Sequence, residues 1–309
     1  MTSQGIHTRA LLVRLRAGYW DAKIEDKAVS RDTRQRLGSK KGRWIKDLLP
    51  GSEEFVKVRK AYNDLRTWFY TNTLPWEDRG HRLRSTKNFE KFAQTMNRKI
   101  RIYEESVQEL EKAYPQLIYK AKQDLGQSWR AEDYPHPSKI AEKYWATVSY
   151  LTIPHVDDLR VSLDKDQKDI IQAQIEDSTK TMMAGAMQDC WKRLYDVTEK
   201  MASTLGNPKA KFKDSLVGNI EDLTSLLPDL NITDDPHLAQ LGQEMKKRLA
   251  SYDPDKLRKD DRERLQAAQA ASQVLGKIKQ HSQDSQPEPV EGTPEESIDD
   301  IMAKMGGVY

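Results

Sequence analysis

The chain has 309 residues but only one cysteine, Cys190, and no long apolar run. A single cysteine excludes an intrachain disulfide framework and a zinc site built on cysteine pairs. No window approaches the roughly 18 apolar residues of a membrane span, and the first residues lack the apolar stretch of a signal peptide. These absences predict a soluble, cytoplasmic protein.

The sequence also lacks the common linear motifs of nucleotide-binding and hydrolytic enzymes. It contains no Walker-type Gly-Lys-Ser/Thr loop, no Gly-x-Gly-x-x-Gly, no Gly-x-Ser-x-Gly and no His-Glu-x-x-His. We therefore expect no catalytic residues and no cofactor.

Charge, by contrast, is abundant and unevenly distributed. Charged residues make up 32% of the chain and hydrophobic ones 37%. Residues 1–130 contain 28 Lys and Arg against 16 Asp and Glu, whereas the remainder contains 23 against 32. This asymmetry predicts a basic surface for an acidic partner in the first half and an acidic second half.

Apolar residues at helical spacing predict three long helices. The first follows a capping Ser52, the second runs from Phe89 to Gly126, and the third spans Asp166 to Leu205. A short turn between the first two predicts an antiparallel coiled-coil pair, whose seam could also serve a homo-oligomer. Shorter helices are expected in these places: after Ser30 and ending at Gly38, after Ser138, and over residues 214–227, 237–251 and 256–280.

Alternating apolar and polar residues predict strands. Residues 9–17 alternate with a basic outer face, and the runs WATVSYLTI and LRVSL flank the turn PHVDD as a hairpin. Together with residues 74–84 they are expected to form one small antiparallel sheet, because an isolated hairpin is barely stable.

The predicted fold is therefore mainly α, with long antiparallel coiled-coil helices, a small antiparallel β-sheet and a disordered acidic C-terminal tail. We expect a basic α+β region at 1–163, a helical region at 164–281 and the tail at 282–309. The tail has the Pro, Glu, Gln and Ser bias of disorder and ends in a short amphipathic segment. That segment is either idle or a docking helix for a protein partner, with these candidate contacts: Ile298, Ile301, Met302, Met305 and Tyr309.

Two basic segments that contain tryptophan are candidates for binding single-stranded nucleic acid. They combine cations that pair with phosphates and aromatic faces that stack on bases. The candidate residues are Arg34, Arg36, Lys40, Lys41, Arg43 and Trp44 in one segment, and Trp76, Arg79, Arg82 and Arg84 in the other. The competing interpretation is a solvated face of a charge-rich protein.

Two predicted turns also carry carboxylates beside an imidazole, which are ligands for a divalent metal in a nuclease. The residues are Glu77, Asp78 and His81 in one turn, and His155, Asp157 and Asp158 in the other. This hypothesis requires the turns to converge. The alternative is that the acidic residues merely suit tight turns, so we predict no metal site.

The first half of the chain has four features in order: the segment ALLVRLRAGYWDAKIEDKAVSRD, a charged loop, a helix ending in YTNTLPWEDRGHRLRS, and the heptad helix after it. Together they resemble a domain-of-unknown-function family of tailed phages and prophage-like elements. The resemblance covers the first half, to about Tyr150, and its most distinctive piece is Leu74-Pro75-Trp76 with the Arg and Leu residues beyond the turn. The family has no established activity and is often encoded near MoxR-type ATPases and proteins with von Willebrand type A domains. The resemblance implies an adaptor or substrate of such an ATPase in a bacterial host.

The function favoured by the sequence is that of a non-catalytic phage-type interaction or adaptor protein working with a MoxR-type AAA ATPase. A single-stranded nucleic-acid-binding protein with a basic, Trp-containing surface is the alternative, and a metal-dependent nuclease comes third.

Overall fold

The computed structural model describes residues 5–76, 80–155 and 164–284, and this part of the chain is mainly helical, as predicted. The helices are α1 (Ile6–Arg9), α2 (Lys27–Arg36), α3 (Glu53–Thr71), α4 (Phe89–Leu125), α5 (Lys165–Gly206), α6 (Ser215–Leu230), α7 (Pro236–Arg248), α8 (Pro254–Lys259) and α9 (Asp261–Asp284). Within these three ranges, no helix is both long and apolar enough to cross a membrane.

The strands are β1 (Ala10–Gly18), β2 (Lys23–Glu25), β3 (Ile45–Asp47), β4 (Leu74–Pro75), β5 (Arg82–Ser85) and β6 (Trp145–Leu151). Four of them form one antiparallel sheet in the order β4-β5-β1-β6, which confirms the predicted small sheet. The antiparallel ribbon of β2 and β3 was not predicted. The strand expected in LRVSL, at 159–163, lies outside the described residues.

Helices α3 and α4 pack as an antiparallel pair. Three contacts show the direction, because residues later in α3 meet residues earlier in α4. The contacts are Lys57 with Glu109, Tyr62 with Tyr103, and Trp68 with Phe92. Ser52 begins α3 as predicted, since its Oγ accepts a hydrogen bond from the Phe55 amide at 3.0 Å. Coiled-coil supercoiling of the pair stays a prediction.

Buried tyrosines hold the end of β1 against the neighbouring elements. The hydroxyl of Tyr103 donates to the Gly18 carbonyl at 2.6 Å, and that of Tyr144 donates to the Trp20 carbonyl at 3.2 Å. Burial raises the pKa of both phenols, because the phenolate would lose its hydration. Gly18 and Trp20 therefore have fixed positions beside α4.

Three boundaries differ from the sequence expectations. Asp26, not Ser30, caps α2, because its Oδ1 accepts the amides of the first turn while Ser30 lies inside the helix. The segment after Ser138 forms short 3-10 turns. The helix expected over 256–280 is divided at Asp260, whose extended backbone ends α8 and begins α9.

The chain forms two compact units, and each has its own core. Unit 1 comprises Met1–Cys190 and Glu221–Glu244, so the expected boundary at residue 163 falls inside it. Unit 2 comprises Trp191–Ile220 and Met245–Tyr309. In unit 2 the buried Arg264 donates to the Leu205 and Asn207 carbonyls, which satisfies the end of α5.

Candidate nucleic-acid interface

The candidate interface is the segment 34–44, here called the basic loop, which connects α2 to β3 in unit 1. The loop begins where α2 ends at Arg36, and Gly38, with φ of +61°, turns the chain away from the helix. A left-handed backbone at this place favours glycine, because it has no Cβ. The chain then returns to Ser30 of the helix at Trp44, the residue before β3.

The basic loop is open to solvent along almost its whole length. Every residue from Gln35 to Ile45 is exposed, and only Arg34 is half-buried. Trp44 is 54% exposed. An aromatic face and several cations therefore share one accessible surface.

Hydrogen bonds fix the backbone of the basic loop. The Trp44 amide donates to Ser30 Oγ at 2.8 Å, and the Trp44 carbonyl accepts from the Asp26 amide at 2.9 Å. The Arg34 guanidinium crosses the loop and donates to the Gly42 carbonyl at 2.8 Å. The exposed indole thus projects from a backbone that is already ordered.

A buried lysine anchors the base of the basic loop. Lys46 Nζ lies 2.5 Å from an Asp133 carboxylate oxygen and 3.6 Å from one of Asp26, and it donates to the Ser128 carbonyl at 3.0 Å. The Val29 amide, and after it the Lys46 ammonium, hold the pKa of Asp26 below its ordinary value, although burial opposes the shift. Lys46 is therefore structural and is not part of the exposed surface.

Few carboxylates are available nearby in the sequence to pair with the remaining cations of the loop. Residues 31–43 contain six Lys and Arg against one acidic residue, Asp32, which pairs with Arg36. Lys40, Lys41 and Arg43 form no ion pair with any residue of the described ranges. These three ammonium and guanidinium groups are consequently accessible to an external anion.

The second predicted basic segment is placed differently. Trp76 is only 7% exposed, which does not fit a stacking role. Arg82 donates to the hydroxyl and carbonyl of Thr73 at 2.7 and 2.9 Å, and Arg84, 2% exposed, pairs with Asp229 at 2.8 Å. Arg84 is thus a structural cation, Arg82 is tied to the end of α3, and Arg79 lies outside the described residues.

The structure gives the two histidines of the metal hypothesis different neighbours. His81 directly precedes Arg82, which pairs with Val13, whereas the His155 ring contacts His7 with centroids 4.4 Å apart. Convergence of the two turns stays a hypothesis.

The other proposed metal ligands, Glu77, Asp78, Asp157 and Asp158, lie outside the described residues. The searched residues contain no group of three or more His, Cys, Asp or Glu side chains arranged to hold a metal ion. The tail contacts are also outside the described ranges: Ile298, Ile301, Met302, Met305 and Tyr309.

The contribution of Asp26 and Ser30 to the site was missed in the sequence. Asp26 had a readable signal, because aspartate directly before a helical segment is a strong N-cap candidate. The hydrogen bond between Ser30 and Trp44 had no signal in the sequence, since it joins residues 14 apart through a loop without periodicity.

Comparison of the chain with protein-family models, curated proteins and solved structures gives no match.

Proposed function

We propose that the protein is a non-catalytic, single-stranded nucleic-acid-binding protein that uses the basic loop as its contact surface. One observation carries the proposal. Trp44 is exposed on a backbone held by hydrogen bonds, and it neighbours Lys40, Lys41 and Arg43, which form no ion pair with any described residue. Phosphates neutralised by such cations supply most of the affinity of non-specific nucleic-acid binding.

The exposed indole favours a single strand over a duplex. An aromatic side chain stacks on a base only where that base is unpaired and accessible, and each such stack contributes about 1–3 kcal/mol. The ordered backbone reduces the entropy lost on binding, because the loop does not have to be immobilised by the ligand. The proposed contact does not depend on the base sequence of the strand, since every base has an aromatic face that can stack on the indole.

Fluorescence anisotropy with a labelled oligo-dT and a matched duplex tests this function. We expect salt-sensitive binding of the single strand and weaker binding of the duplex. Trp44→Ala should weaken binding about tenfold through the lost stack. Lys40→Gln with Lys41→Gln should also weaken it, and should reduce the slope of log affinity against log salt by about 0.7 for each phosphate contact removed.

Two exposed residues of the α3–α4 pair supply matched controls. Tyr119 on α4 is 66% exposed, so Tyr119→Ala removes an accessible aromatic ring that is not part of the basic loop. Lys60 on α3 is an exposed cation, so Lys60→Gln removes one charge. The proposal fails if the full chain does not bind at low salt, or if the loop variants behave like these controls.

The adaptor function with a MoxR-type AAA ATPase stays a prediction from the sequence. Its docking residues lie beyond the described ranges, and its family resemblance gains no support from the comparisons. A pull-down that compares the full chain with a version ending at Ser282 tests it. Loss of a specific partner on truncation is the expected result.

A further inference from the structure

The four-stranded sheet has two faces of different character. The register pairs Arg14 with Ser149, Arg16 with Thr147, and Gly18 with Trp145. Directly paired residues point to the same side of a sheet, so these six positions share one face. The four strands contain four arginines and no carboxylate.

The opposite face packs on the core of the α3–α4 pair. The side that carries Arg14 is open only next to β6, because Leu12 and Leu83 on that side are buried. Val13, Val148 and Ala146 pack against the buried residues of α3 and α4. Arg82 and Arg84 share that side, since Arg82 pairs with Val13 and alternates with Leu83. Their guanidinium groups lie 4.9 Å from the ring centroids of Tyr70 and Phe92, which belong to the helix pair.

Arg14 and Arg16 lie on the first face, where Arg14 is half-buried. Neither makes an ion pair within the described ranges, and Arg16 is exposed. Thr147 and Ser149, beside them on β6, are exposed as well. We call this set, Arg14, Arg16, Trp145, Thr147 and Ser149, the open sheet face.

Trp145 gives the open sheet face an aromatic surface. Its side chain is 42% exposed, and the Arg16 guanidinium carbon lies 5.7 Å from the ring centroid. A Cβ at Gly18 would come within 2.2 Å of the indole Nε1, so the glycine allows the ring to lie against the backbone of β1. Trp44 and Trp145 thus each combine an accessible indole with nearby cations.

The open sheet face and the basic loop belong to the same unit and are joined by a short connection. Gly18, at the end of β1, is five residues from Lys23, which pairs with Asp47 in the strand that follows Trp44. Five residues span at most roughly 18 Å. The hydroxyl groups of Tyr103 and Tyr144 bond to the Gly18 and Trp20 carbonyls of this connection.

We propose that the open sheet face is a second contact for the same single strand, which stacks a base on Trp145 and places phosphates at Arg14 and Arg16. The inference rests on the proposed function of the basic loop. Charge complementarity identifies the occupant, because this face offers two arginines and no carboxylate to a polyanion. The accessible indole favours a nucleic acid over an acidic peptide, since stacking requires a flat base.

The test compares oligo-dT of about four and about sixteen nucleotides, since single-strand sites on one small domain cover that range. Trp145→Ala should weaken binding of the longer strand about tenfold and leave the shorter one, held by the basic loop, nearly unchanged. Arg14→Gln with Arg16→Gln should lower the salt slope for the longer strand alone. Trp145→Tyr retains an aromatic ring and should restore most of the affinity, and circular dichroism checks that each variant is folded.

The outcomes separate the two proposals. If only the basic-loop variants weaken the longer strand, the second contact is wrong and the proposed function stands. If the unaltered chain binds neither oligonucleotide at low salt, both are wrong. If poly-glutamate displaces the longer strand and its own binding depends on Trp145, the face belongs to an acidic protein partner and this inference is overturned.

Discussion

Residues 34–44 and residues 76–84 each contain a tryptophan and several arginines, but the fold exposes Trp44 and engages Trp76, Arg82 and Arg84 within unit 1. Trp44 is 54% exposed and Trp76 is 7% exposed. Lys40, Lys41 and Arg43 have no ion-pair partner in the described ranges, whereas Arg84 pairs with Asp229.

The difference comes from what surrounds each segment. The first is a connection that closes on itself through Arg34 and Gly42, so its other cations point away from the core. In the second, Arg84 contacts Phe92 of α4 and pairs with Asp229 of α6, a carboxylate 145 residues away. A cation beside an indole is therefore a candidate binding group only where the fold provides no carboxylate for it.

The largest effect is expected from Arg84→Ala, which would leave Asp229 without its partner. Breaking a buried ion pair by removing one side costs about 3–5 kcal/mol, because a desolvated charge remains. We expect a loss of about 3 kcal/mol in the free energy of unfolding, since Asp229 also accepts from Asn88. Urea denaturation followed by circular dichroism measures it.

The control is a double-mutant cycle. Asp229→Asn with Arg84→Ala removes both charges, so its cost should be clearly smaller than the sum of the two single changes. Strict additivity would show that the pair is not coupled and would remove the structural role assigned to Arg84.

Sequence patterns predicted most of the helices and strands, because each of these elements has its own local spacing of apolar residues. The stripe from Phe55 to Phe69 predicted α3, and alternation around Val13 predicted β1. The ion pair of Arg84 with Asp229 and the bond of Ser30 with Trp44 were not predictable, since each joins segments with no shared pattern. Composition located the basic loop correctly as a charged connection, but it could not separate Lys46, which is buried, from the exposed lysines nearby.

A smaller effect is expected from acid, through Lys46 and Asp26 at the base of the basic loop. The folded pKa of Asp26 is below its ordinary value, so its contribution to stability is present above about pH 4 and is lost as the pH falls through the folded pKa. The pKa of Asp234 is lowered too, chiefly by the hydrogen bond from Lys87, and adds in the same direction. The urea midpoint should therefore fall between pH 5 and pH 2.

Asp26→Asn isolates the share of Asp26 in that dependence. Asparagine can still cap α2, so the helix start is kept while the charge is removed. The variant should be less stable than the unaltered protein at pH 7, and its midpoint should fall less on acidification. An unchanged pH profile would mean that the Asp26 carboxylate does not contribute to the acid dependence of stability.

The smallest effect on stability is expected from the exposed cations of the basic loop. Substitution of Lys40, Lys41 and Arg43 by Gln removes three charges that have no ion-pair partner in the described part of the chain, so the free energy of unfolding should change by no more than about 0.5 kcal/mol. Arg34→Gln is the matched variant, because its guanidinium donates to the Gly42 carbonyl and its loss should cost about 1 kcal/mol. A loss above about 2 kcal/mol in the triple variant would mean that these cations have structural partners. The contrast between the two basic segments, and with it the binding role of the first, would then no longer hold.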